Sequence, residues 1–150
     1  MLTRLVIAMA LGALLGIERE LVGKEAGVRT NIVVAGGASV FAMIGLTIPY
    51  IAAQMLGVAP DQTMVVSAFG IIANVVVGIG FLGAGLIIRM GEHPRGLTTA
   101  ALVWTTAAIG ILAGIGLPLF ATAAAALITL VLYILRKLNV SERIEELGTK

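Results

Sequence analysis

No cysteine occurs in the 150 residues, which excludes a disulfide framework, a thiolate metal site and a cysteine nucleophile. Charge is almost as scarce: Asp, Glu, Lys and Arg together make up 12% of the chain, about half the share of a soluble domain. Only one histidine is present, and aromatic residues stand at 5%. The chain therefore lacks the polar material to cover a water-soluble globule. It has no Ser-His-Asp set and no acid pair placed for hydrolysis, so it reads as a non-enzyme.

What it has instead is apolar sequence, 59% of all residues with a mean hydropathy of +1.09. This arrives in runs near the roughly 20 residues that a bilayer-spanning helix needs. The first run extends from Leu2 to Ile17 and, continued through Glu18, Arg19 and Glu20, reaches the headgroups. The second goes from Thr30 to about Ala53, with Pro49 expected to kink or end it. The third covers Thr63 to Ile88 after Pro60 and an Asp61 cap, the fourth opens at Thr98 and fades at Gly114 and Gly116, and the fifth runs from Pro118 to Leu135. The pattern predicts an all-α membrane protein, a bundle of about five transmembrane helices over residues 1–135 with a short polar, helical tail over 136–150.

A net charge of +2 and a pI near 9.4 do not point to nucleic acid, because the basic residues sit in short connections and form no stripe. They report topology. Arg19, Lys24 and Arg29, then Arg89 and Arg95, then Arg136, Lys137, Arg143 and Lys150 collect on one side, and Arg4 alone lies opposite. By the positive-inside rule the N-terminus is expected outside and the C-terminus in the cytoplasm. No Asp, Glu, Lys or His falls within the second to fifth spans, which argues against a buried proton relay.

The run Gly78-Ile79-Gly80-Phe81-Leu82-Gly83-Ala84-Gly85 satisfies a dinucleotide fingerprint by letter only. It lies inside an apolar span with no preceding strand and no acid near residue 100. Two readings remain for it: close helix packing through small residues, which is favoured, or a loosened helix whose carbonyls line a polar cavity. Asn74 falls on a stripe with Gly70, Gly78 and Gly85, where its amide either bonds to a neighbouring helix or meets a solute or ion at the midplane. At the end of the first span, Arg19 and Glu20 continue the face of Gly12 and Gly16 while Glu18 points elsewhere. These charges anchor the helix at the interface, or Glu18 supplies an oxygen to a hard cation such as Mg²⁺. Thr106, Gly110 and Gly114 share a stripe on the fourth span, explained by packing, and Thr98 or Thr99 is expected to cap that helix.

A weak internal echo relates Gly27-Val28-Arg29-Thr30 to Gly96-Leu97-Thr98-Thr99, and Gly12 to Arg19 with Gly83 to Arg89. Both units run out-to-in and then in-to-out, the signature of a parallel duplication.

Four blocks in this order, Gly12 to Glu20, Lys24 to Thr30, Gly78 to Gly85 and Arg95 to Ala101, resemble the membrane domain of the MgtC/SapB family. The resemblance implies a multi-pass protein of the bacterial inner membrane, linked to growth under magnesium limitation and, in pathogens, to survival inside host cells. It points to regulation of other membrane machinery and does not imply that the protein carries Mg²⁺; no cofactor is expected, with Mg²⁺ the one candidate. The alternative from the residues alone is an ion or solute pathway past Asn74 and the third-span glycines. Beside Glu18, Arg19, Glu20, Asn74, Gly78, Gly80, Gly83 and Gly85, the blocks and the echo make Arg29, Thr30, Arg89, Gly96, Thr98 and Thr99 candidate site residues. Where family members commonly carry an Asp-x-x-Arg element, this chain has Ser67 and Gly70, and it lacks that charge pair. Many members also continue into a soluble C-terminal domain, which is not expected after the short tail here. Expected partners are membrane lipid, a second copy in a homodimer, and other inner-membrane proteins, with no nucleic acid.

Overall fold

The computed structural model describes residues 1–59, 61–90 and 93–138. Five helices account for most of them: α1 (Leu2–Leu21), α2 (Val28–Leu56), α3 (Gln62–Leu86), α4 (Leu97–Ile115) and α5 (Pro118–Lys137). Between α3 and α4 the chain forms a small antiparallel hairpin, β1 (Ile88–Met90) with β2 (His93–Arg95), in place of the expected plain loop. Arg136 and Lys137 lie in the last turn of α5, and the tail from residue 139 onward lies outside the described residues.

Local sequence explains most of the boundaries. α1 closes where Gly23 adopts a left-handed conformation at φ 68°; its N–H donates to the Glu20 carbonyl at 3.1 Å and Lys24 donates to Arg19 at 3.0 Å. This pairing satisfies carbonyls that the helix end would otherwise orphan. Gly57 and Gly116 end α2 and α4 in the same manner. Pro118 opens α5 at a position where its missing N–H has no helical partner to lose. Pro49, expected to kink or end the second span near Ala53, does not end it: α2 passes through and stops at Leu56. Pro49 is buried in the bundle, and membrane helices tolerate the backbone bond that a proline removes where neighbouring helices cover it.

Among the described residues, four helices are long and apolar enough to cross a membrane: α2, α3 from Phe69, α4 and α5. α1 has the length but holds Arg4, Glu18 and Arg19 in any stretch of 18 residues, which sets it apart. It is nevertheless part of the bundle. α2 and α4 lie side by side at the centre, α1 packs on both and α3 also packs on both, while α5 covers α1 and α4.

The central pair is parallel. Asn31 meets Thr106, Ala35 meets Gly110 and Ser39 meets Gly114, each pair 75 positions apart, and a constant offset of this kind arises only between helices running the same way. A Cβ on Gly110 would fall on the Ala35 carbonyl, so the two backbones touch. In lipid, where apolar burial gives no drive for association, such close approach is what holds helices together. Two apolar clusters flank the pair: Leu11 and Leu15 of α1 with Ile109 of α4 and Ala121 and Ala125 of α5, and on the α3 side Ala38, Ala42, Ala107 and Ile111 with Ile72, Val75 and Ile79. Large apolar side chains point outward, including Val77, Phe81, Leu119 and Phe120. In water that surface would drive aggregation, whereas in hydrocarbon it is the solvent-facing side.

Candidate functional site

The polar side chains concentrate where α1 ends and α2 begins, beside α4. The Arg19 guanidinium donates through Nε to Glu18 Oε2 at 2.6 Å and through Nη2 to Glu18 Oε1 at 3.1 Å, with both residues buried. This corrects two expectations. Glu18 does not point away from its neighbour, and the pair does not reach out to the headgroups. Adjacent side chains leave a helix about 100° apart, yet here both turn into the same protected crevice, because a charge that enters the bundle needs its counter-charge with it. Since Arg19 occupies both carboxylate oxygens, Glu18 serves as an internal counter-ion in this arrangement. Among the described residues, no group of three or more His, Cys, Asp or Glu stands close enough to hold a metal ion.

Glu20 stays exposed and does something else. Its Oε2 accepts the Val28 backbone N–H at 2.9 Å, which satisfies one of the orphan donors in the first turn of α2 and places a negative charge at the positive end of that helix. Gly27 precedes this turn, and a side chain there would collide with the same carboxylate.

Sequence reasoning missed the centre of the junction, Asn31. Wholly buried, it donates through Nδ2 to the carbonyls of Ala26 at 2.8 Å and Gly27 at 2.9 Å, and its Oδ1 accepts the Thr106 hydroxyl at 2.8 Å. One carboxamide thus ties the α1–α2 connection to α4. Gly12 of α1 rests directly on the Asn31 backbone carbonyl, so three helices meet there. A lone Asn one turn inside an apolar run was the available signal, because such a group is expensive in a membrane unless paired. Ser39, two turns further along α2 and also wholly buried, has an Oγ with no hydrogen-bond partner.

The remaining candidates are placed apart from the junction. Arg29 and Thr30 are exposed on the first turn of α2, and Thr98 is exposed while Thr99 is buried on the first turn of α4. Neither threonine caps α4, whose N-cap is Gly96 with φ 85°. The glycine closes on the Leu86 carbonyl, leaving no room for a side chain. Arg89 lies on β1, and its side chain is outside the described residues.

On α3 the glycine run divides. The helix continues unbroken through it, and of its glycines only Gly83 is buried, in contact with Ala100. Gly70, Gly78, Gly80 and Gly85 face open space among the described residues. Asn74 shares this outer side, exposed at a groove of about 440 Å³ between α2 and α3, beside Phe41, Ile71, Val75, Gly78 and Ile79.

Comparison with known proteins places the chain in a family. Residues 5–141 match the MgtC family. Protein MgtC of Salmonella typhimurium strain LT2 is 46% identical over 112 residues, which cover 75% of this chain and 42% of the relative. Protein MgtC of Brucella abortus strain 2308 is 40% identical over 131 residues, covering 87% of this chain and 49% of the relative. The chain thus spans less than half the length of these curated relatives. No solved structure matches it. With the match extending from the first turn of α1 to beyond the end of α5, and with four helices fit to cross a membrane, the chain is a multi-pass membrane protein and belongs to the MgtC family.

Proposed function

We propose that this chain is a non-enzymatic protein of the bacterial inner membrane that supports growth under magnesium limitation and, in a pathogen, survival inside host cells, by acting on other membrane proteins. The N-terminus faces outward and the C-terminus faces the cytoplasm, as the distribution of Lys and Arg favours. The observation that carries this reading is the division of polar groups between the interior and one helix face. Inside the bundle, Glu18 is engaged with Arg19 and Asn31 with Thr106. On α3, by contrast, Asn74 is exposed, and among the described residues nothing lies within reach of a side chain at Gly70, Gly78, Gly80 or Gly85. A helix that presents small residues and an amide to the membrane is equipped to meet another helix. The homodimer belongs to the same proposal, with α3 as its contact. No bound metal or cofactor is needed for this role, and Mg²⁺ enters as the condition to which the cell responds.

The test is growth of a deletion strain across a magnesium series, rescued by the wild-type chain or by Asn74→Leu, together with cation flux in liposomes containing the purified protein. Rescue by wild type, its loss in Asn74→Leu and absence of flux support the proposal. Mg²⁺ flux that Asn74→Leu abolishes would replace it with a transport function. Disulfide crosslinking of Gly78→Cys or Gly85→Cys chains in native membranes tests the dimer, and a purely monomeric product refutes it.

A further inference from the structure

α1 is the helix whose place in the bilayer its own composition does not explain. Arg4, Glu18 and Arg19 keep it out of the class of self-sufficient spans, yet it packs against α2, α4 and α5. Gly12 lies on the Asn31 carbonyl and Gly16 on the backbone of Val28, with Ala8, Leu11 and Leu15 buried alongside.

Each of its charges is answered in the docked position. Arg4 donates through Nη1 to the Gly114 carbonyl at 3.0 Å, and its guanidinium lies over Gly116, so the cation sits at the negative end of α4. Glu20 accepts from Val28 at the positive end of α2. Glu18 and Arg19 neutralise each other inside the bundle. Away from α2 and α4, the contacts of Arg4 and Glu20 vanish, and the Glu18–Arg19 pair loses its cover.

We infer that α1 is a bundle-dependent transmembrane helix: α2 to α5 enter the bilayer on their own hydropathy, and α1 crosses only by docking between α2 and α4, with Arg4 latching its outer end to the C-terminus of α4. Arg4 is the one basic residue on the side opposite all the others, and the latch gives it a purpose that charge topology does not.

Hydropathy and docking make opposite predictions for one pair of substitutions. Arg4→Leu removes the latch, and Gly16→Leu puts a side chain where the Val28 backbone lies, yet both make α1 more apolar. If composition governs insertion, the double variant inserts α1 better. If docking governs it, α1 fails to cross.

Because the chain has no native cysteine, single reporters are clean. Thr3→Cys reads the exposed start of α1 and Leu117→Cys reads the exposed turn between α4 and α5. A membrane-impermeant maleimide applied to intact cells is expected to label both in the otherwise unchanged chain, and to keep labelling Thr3→Cys when Arg4→Lys preserves the cation. In the Arg4→Leu/Gly16→Leu background, Thr3→Cys should lose most of its external labelling and react only from the cytosolic side, while Leu117→Cys stays external. Continued external labelling at Thr3→Cys overturns the inference. So does loss of both signals, since α2 to α5 would then depend on α1. The inference rests on the orientation proposed above. An inverted chain would reveal itself separately, because both reporters would label only from the cytosol before any change to Arg4 or Gly16.

Discussion

The Asn31–Thr106 contact gives the sharpest quantitative test of the bundle. Thr106→Val preserves shape and removes only the hydroxyl that Asn31 Oδ1 accepts at 2.8 Å. Hydrogen bonds between membrane helices average about 0.6 kcal/mol and reach about 1.7 kcal/mol. Since both side chains are wholly buried, the upper half of that range is expected here. Asn31→Ala removes more. It deletes the bonds to the Ala26 and Gly27 carbonyls as well and opens a void in a site with no solvent access, for a loss of about 2–4 kcal/mol. In that variant the Thr106 hydroxyl can turn back to the carbonyl four positions earlier, a local bond open to helical threonines. The double mutant should therefore be less unstable than the two losses added together, with a coupling of about 0.6–1.7 kcal/mol. Reversible unfolding in mixed micelles measures this directly. Trp104, the only tryptophan, sits on α4 two positions from Thr106 and reports on that helix. A coupling under about 0.3 kcal/mol, the scatter of independent sites, would show that the bond does not join α2 to α4.

Other substitutions separate tight from open positions. Alanine at Gly12, Gly110 or Gly114 should destabilise the fold by about 1–3 kcal/mol in the same assay, because each added methyl meets backbone. Alanine at Gly70, Gly78 or Gly80, which face open space, should stay within about 0.5 kcal/mol of wild type. Arg19→Met leaves the Glu18 carboxylate buried and alone, and should cost about 3–5 kcal/mol, whereas Glu18→Gln/Arg19→Met should recover much of that loss. Glu20→Ala removes the acceptor for the Val28 N–H and should lower stability by about 1 kcal/mol, measured as a shift in the unfolding midpoint.

Helix number and approximate bounds were readable from the chain because hydropathy runs and glycine punctuation act locally. The same local signals failed where a neighbour decides the outcome. Pro49 looks like a terminator, yet it is buried within α2, which runs on to Leu56. Glu18 and Arg19 look like interfacial anchors because their burial depends on α2 and α4 being present. The glycines of α3 match a packing stripe in spacing, but spacing does not say whether a partner helix stands on that side. The stripe on α4 has the same spacing, and there the partner is present, with Gly110 and Gly114 against α2. Asn31 escaped notice although its cost in an apolar helix was visible, since the atoms that offset it come from the preceding loop and from a helix 75 positions away.

The internal echo accounts for where the polar junction lies. Gly27 and Gly96 are the N-caps of α2 and α4, and Asn31 and Ala100 each donate a backbone N–H to the glycine four positions earlier. Against these equivalent positions rest Gly12 of α1 and Gly83 of α3. The two halves thus share one plan, a first helix laid by a glycine onto the opening turns of the second. They differ in how hard that contact presses. A Cβ on Gly12 would fall on the Asn31 carbonyl, while one on Gly83 would meet the Ala100 side chain at an ordinary 3.7 Å. The half that holds an asparagine at this position gains a carboxamide that reaches across to α4, and the half that holds an alanine gains nothing comparable. α1 is consequently drawn into the bundle despite its charges, and α3, apolar enough to remain in lipid unaided, has an outer face whose glycines meet nothing among the described residues.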